Sequence, residues 1–243
     1  MPGFTYYGDL LGISSFYRLG PKVAHSKLDR FYTISLNTLV QFNVEMFSDS
    51  IFIVGEDPVA GLRELMNLYS CLLAENLLLR GAIVMGRLSF GPRFTRENFE
   101  KRLPDDDKLA RATGLERSYK GARLLVESSL VETLFASCQE WMTHEGYLRT
   151  IDSNPENIDV LKRICSTPNN SNYEVLYYWK ENMSHEEYSR KTKELKHISM
   201  MYNDQLRLHY TETINLIHRS EERHRMTEEK RANMVESNRG PRS

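Results

Sequence analysis

The order of segments over the first 86 residues constrains the fold more than any other feature. A strand is expected over residues 4–11, where β-formers alternate through Phe4-Thr-Tyr-Tyr-Gly-Asp-Leu-Leu11. A helical stretch follows over 27–43, with Leu28, Phe31, Ile34 or Ser35, Thr38 and Leu39 on one face. Residues 40–54 then read as two strands folded tightly around Phe47-Ser-Asp-Ser50. Pro58 suits the first turn of a second helix, carrying Leu62, Leu65, Met66, Tyr69, Leu72 and Leu73 and running to about residue 79. Residues 80–86 close the series as a short strand with glycine near each end. Strand, helix, hairpin, helix, strand predicts an α+β chain with one sheet and helices packed against it.

The second half is less regular. Residues 91–118, with Gly91-Pro92, Pro104 and Asp105-Asp-Asp107, read as a long polar excursion, and the three consecutive carboxylates as solvated. A helix is expected over 120–140, and strands over 146–151 and 173–179. One long amphipathic helix is expected over 186–225, striped by Leu195, Ile198, Tyr202, Leu206, Tyr210, Ile214 and Ile217. The expected organisation is a domain over 1–180, a C-terminal helix over 181–226 and a charged, frayed tail over 227–243.

Composition excludes several classes. A net charge of −1 provides no general pull toward nucleic acid or anionic membrane. No apolar run approaches the roughly 18 residues of a membrane span, and the N-terminus lacks a basic-then-apolar leader pattern. The 3 cysteines are widely spaced without CxxC pairing, which fits reduced thiols in a cytoplasm. His185 and His197 have no partner at zinc-ligand spacing, and no GxxxxGK[ST] phosphate loop is present.

Two aspartates stand where burial is expected. Asp9 interrupts the first strand, and Asp49 sits at the hairpin tip. A single aspartate at a strand end ordinarily caps a turn or faces water. A pair is different: with the first strand between the two hairpin strands, both carboxylates would meet at one sheet edge. Two adjacent carboxylates repel unless a cation lies between them, and hard cations such as Mg²⁺ or Mn²⁺ favour such ligands. Paired ions suit in-line displacement at phosphorus.

The ordered set Asp9-Leu-Leu-Gly-Ile-Ser14, Phe47-Ser-Asp-Ser50 and Arg80-Gly-Ala-Ile-Val-Met-Gly86 resembles the catalytic domain of class III nucleotidyl cyclases. The resemblance spans roughly residues 4–180 and implies a ferredoxin-like sheet. It also implies two Mn²⁺ or Mg²⁺ ions held by Asp9, Asp49 and the Leu10 carbonyl. The chemistry implied is attack of a ribose 3′-hydroxyl on the α-phosphate, giving a 3′,5′-cyclic nucleotide and pyrophosphate. By the same resemblance Glu45, four residues before Asp49, would read the base, as a partner for guanine or for the N3–H of uracil. Arg123 takes the place of the family's arginine, with Lys120 beside it as a second phosphate-directed cation. The family's asparagine, four residues earlier, is replaced by Tyr119, which leaves the substrate-binding role of that position in question. The compact plan resembles most the stand-alone pyrimidine cyclases of bacterial antiphage defence. That implies a homodimer with interfacial sites, UTP as substrate, and cyclic UMP read by a separate effector protein. Cytidylate or guanylate cyclase activity, or a catalytically silent nucleotide-binding module, are the alternatives.

Overall fold

The computed structural model describes residues 3–91, 94–96, 99–101, 104–132, 141–142, 147–149, 161–167, 170–175, 184–202 and 204–238. The chain begins with β1 (Phe4–Leu10), α1 (Ile13–Leu19), α2 (Pro21–Thr38), β2 (Asn43–Phe47), β3 (Ser50–Gly55), α3 (Pro58–Ala74) and β4 (Leu79–Met85). A two-stranded ribbon, β5 (Phe94–Arg96) with β6 (Phe99–Lys101), precedes α4 (Lys108–Arg117) and β7 (Leu124–Val126). The remaining elements are β8 (Trp141–Met142), β9 (Tyr147–Arg149), β10 (Leu161–Thr167), β11 (Asn170–Val175), α5 (His185–Ser199) and α6 (Asp204–Asn238). Among the described residues one nine-stranded sheet runs β2-β3-β1-β4-β7-β11-β10-β9-β8. Its pairings are antiparallel except β4 with β7.

The first four strands and two long helices stand close to where the sequence predicts them, but their neighbours differ. β1 lies between β3 and β4, not between the hairpin strands. The core helices cover one face: Phe4, Tyr6 and Leu10 of β1 join Ile51 and Ile53 of β3 and the buried sides of α2 and α3. Tyr6 explains two glycines. A Cβ on Gly8 or on Gly81 would fall 2.3 or 2.2 Å from the Tyr6 hydroxyl, which bonds Tyr69 at 3.0 Å. The second long helix starts where Asp57 accepts from the amides of Val59 and Ala60, and Gly61 makes room for the Phe4 ring.

Three further expectations are corrected. The excursion over 91–118 contains α4, opened by Asp106, which accepts the Lys108 amide at 3.0 Å, with Ala112, Leu115 and Glu116 buried. The helix expected over 120–140 is interrupted by β7, whose Leu124, Leu125 and Val126 are all buried; of the described residues, 128–132 are helical. A short run buried on both faces has no periodicity by which to tell strand from helix. The single C-terminal helix is two. Ser184 starts α5 with a capping box to Glu187, the helix ends at Ser199 with Met200 as its C-cap, and α6 restarts at Asp204 and continues to Asn238, through most of the expected tail. The strand expected over 173–179 is β11, one of whose neighbours, β10, was not anticipated; residues 176–180 lie outside the described residues.

Candidate active site

Alternation along β1 puts Tyr6 and Leu10 in the core and sends Thr5, Tyr7 and Asp9 to the opposite face. Register fixes what lies beside them. At one level Phe47, Ser50, Asp9 and Arg80 run across β2, β3, β1 and β4; at the next, Glu45, Phe52, Tyr7 and Ala82 do so. Helix α4 covers this face at β4 and β7, where Leu115 packs on Ala82 and Leu125. Toward β3, Tyr7, Ser50 and Phe52 stay half-buried, and Phe47 is 81% exposed.

The hairpin tip delivers Asp49 to the same place. Ser48 adopts φ 55, its carbonyl accepts the Tyr32 hydroxyl at 2.7 Å, and the Asp49 carbonyl accepts the Leu10 amide at 2.8 Å. The turn is therefore tied to both α2 and the end of β1. Leu10 itself has its side chain in the core and its backbone at this junction. Ser50 bridges Tyr7 and Asp9 through its hydroxyl, at 3.3 Å to each.

Electrostatics mark Asp9. Burial, then the charges of Asp49 and Glu116, push its carboxyl up to about 6, against opposing contributions from Arg80 and Ser50. Glu116 is 1% exposed and pairs with the Nε of Arg80; burial raises its pKa more than Arg80 lowers it. The Arg80 side chain is 13% exposed, and among the described residues its outer guanidinium nitrogens make no hydrogen bond or ion pair. Glu116 lies in the polar excursion over 91–118, where no helix is expected. The available signal was the spacing of Leu109, Ala112 and Leu115 after the aspartate run.

The other expected residues divide. Glu45 is exposed on the open face, level with the Tyr7–Phe52 ring pair, whose centroids are 5.0 Å apart. Tyr119, Lys120 and Arg123 share the loop before β7. Tyr119 is half-buried against the α4 cluster, and the Arg123 guanidinium carbon lies 6.0 Å from its ring centroid. Lys120 is exposed, and its carbonyl accepts Arg123 Nε at 2.6 Å. Arg123 is buried, paired with Glu174 and, at 3.0 Å, with Glu212 of its own chain. The triplet read as solvated is partly engaged: Asp106 pairs with Lys108 and Asp107 with Arg111.

Asp9 and Asp49 supply hard oxygen donors, and the acidic surroundings oppose ionisation of Asp9, which suits a divalent cation. Among the described residues no group of three or more His, Cys, Asp or Glu side chains converges to hold a metal. Two carboxylates without a protein cage fit an ion that keeps water and completes its shell with substrate phosphates. Among the described residues no helix is long and apolar enough to cross a membrane.

No protein-family model and no curated protein matches the chain. Solved structures do match. The guanylyl cyclase Cya2 superposes with a TM-score of 0.52 at 13% identity, over 72% of this chain and 91% of that one. An adenylate cyclase from Trypanosoma brucei gives 0.51 at 14% identity, over 75% and 91%. The fold is that of class III nucleotidyl cyclase catalytic domains: an α+β sheet with helices packed on it.

Proposed function

We propose that the chain is a nucleotidyl cyclase and that Asp9 and Asp49 form its metal-binding pair. The observation that carries this reading is the meeting of Asp9, Asp49 and Arg80 at one end of β1, between β3 and β4, within the cyclase fold. Asp9, Asp49 and the Leu10 carbonyl would hold Mn²⁺ or Mg²⁺, which when bound neutralises the triphosphate and acidifies the ribose 3′-hydroxyl. The chain's own residues orient the substrate. Arg80, held through Nε by Glu116, offers its outer nitrogens to phosphate oxygens. The oxygen of the 3′-hydroxyl bonds to the α-phosphorus and its proton is released; the bond to the β-phosphate oxygen breaks, and pyrophosphate leaves with the electron pair. Tyr7 and Phe52 offer a ring surface one pleat from Asp9, with Glu45 beside it to accept a hydrogen bond from the base.

UTP is the substrate proposed on the subfamily resemblance; a carboxylate at Glu45 accepts from the N3–H of uracil, as it would from the N1–H and amino group of guanine. The finer proposal is a cytoplasmic homodimer whose cyclic UMP switches on an antiphage effector. A second reading has one observation in its favour. Arg123 is committed to Glu174 and Glu212, as expected of a nucleotide-binding module that has stopped turning over. Incubation of the protein with ATP, GTP, CTP and UTP separately in Mn²⁺, with products identified by mass, separates the readings. A cyclic nucleotide lost on Asp9→Ala or Asp49→Ala supports the cyclase; nucleotide binding without product supports the silent module.

A further inference from the structure

The C-terminal helix runs past the end of the sheet that carries the candidate site. Leu206 lies against Gly12, just beyond β1: a Cβ there would meet its side chain at 3.2 Å. One turn on, α6 takes hold of the loop before β7. The Gly121 amide donates to Nδ1 of His209 at 3.1 Å, and the Ala122 amide donates to the Thr213 hydroxyl at 2.8 Å. That hydroxyl in turn donates to the His209 carbonyl at 2.8 Å, which fixes its orientation. Gly121 has φ +94, and a Cβ there would sit 3.1 Å from the Thr213 amide nitrogen, so loop and helix are in backbone contact. The grip continues into the sheet, because the Arg123 carbonyl accepts both the Gly81 amide at 2.9 Å and the Tyr69 hydroxyl at 3.0 Å. Gly81 is the residue after Arg80.

We propose that His209 and Thr213 are positioning residues, whose acceptor atoms hold the loop over 121–123 and, through it, the start of β4 that places Arg80 beside Asp9. This rests on the cyclase reading for its effect on turnover, though not for its effect on structure. Both residues are buried, and α6 lies outside the segments that carried the family resemblance. The device needs a neutral imidazole with its proton on Nε2, since only an unprotonated Nδ1 can accept. The surroundings enforce that form. Burial, then the charges of Arg80 on β4 and Lys120 on the loop, lower the His209 pKa to about 4. Glu212, the nearest carboxylate along the helix, is engaged by Arg123.

The test uses the full chain and three variants. His209→Ala removes the acceptor, His209→Asn keeps one near the Nδ1 position, and Thr213→Val keeps the shape while deleting the hydroxyl. Amide exchange is followed at residues 79–81 and 119–123, and kcat and KM are measured with UTP in Mn²⁺. In His209→Ala, exchange at both segments is expected to rise and kcat to fall roughly tenfold, with KM less affected, the scale of one buried amide left unpaired. His209→Asn restores both to within about threefold. Wild-type exchange and turnover in His209→Ala would overturn the proposal, as would an Asn variant no better than the Ala. If His209→Ala does not fold, Thr213→Val carries the same comparison, with a rise at both segments expected and no change at 79–81 overturning it. If the wild type forms no cyclic nucleotide, the cyclase reading alone fails and exchange at 79–81 still decides.

Discussion

At the scale of single residues, the site is marked by an aspartate in a costly place. Asp9 is raised to about 6 because burial and two other carboxylates oppose its ionisation. Between about pH 4 and 6 the folded chain keeps a proton that the unfolded chain releases, so this group's contribution to stability falls as pH rises through that window. Asp9→Asn is therefore expected to stabilise the metal-free protein at pH 8 by about 1–2 kcal/mol, after allowance for screening at a partly exposed site. That corresponds to roughly 2–8 °C in melting temperature for a chain of this size. Thermal unfolding in chelator at pH 8 and pH 4 checks it: a gain at pH 8 that disappears at pH 4 is predicted, and an equal gain at both would show that repulsion is not the cause. Asp9 and Asp49 were legible in the sequence because a charge in a β-forming run is conspicuous. Glu116 was legible only as part of a helix spaced by Leu109, Ala112 and Leu115; its pairing with Arg80, 36 positions away, leaves no local signal.

At the scale of elements, the sequence was most readable where one face alone is buried. α2 and α3 show this, with expected stripes that largely coincide with their buried sides. It failed at β7, a three-residue strand buried throughout, and at the break between α5 and α6. There the spacing of Leu195, Ile198, Tyr202 and Leu206 continues across Met200–Asp204 because both helices turn their stripes to the same core. Away from that break, α5 is tied to the end of α3. Lys191 of α5 is buried and donates to the Ala74 carbonyl, to Asn76 and to Glu194, satisfying the open end of α3. Lys191→Met leaves those acceptors without their donor and is expected to cost about 1–3 kcal/mol. Urea unfolding should show an earlier midpoint with an unchanged slope; an unchanged midpoint would mean that α5 is held by its apolar side alone.

At the scale of the whole molecule, the α+β class and the order of the first elements could be read from alternation and helical period, but strand adjacency could not. The sequence places the hairpin after β1; only packing shows that β3 sits beside β1 and that β4 closes its other edge. That adjacency makes the site, since it puts Ser50 and Arg80 on either side of Asp9 and brings the turn at Asp49 to the end of β1. The central claim is that Asp9 and Asp49 act together as one divalent-metal site that closes around a triphosphate. The most direct measurement is Mn²⁺ binding by electron paramagnetic resonance, with and without a non-hydrolysable UTP analogue, on the wild type, Asp9→Asn and Asp49→Asn. Binding that tightens with the analogue in the wild type and is lost in each single variant is predicted. Analogue-dependent binding that survives either substitution would contradict the account.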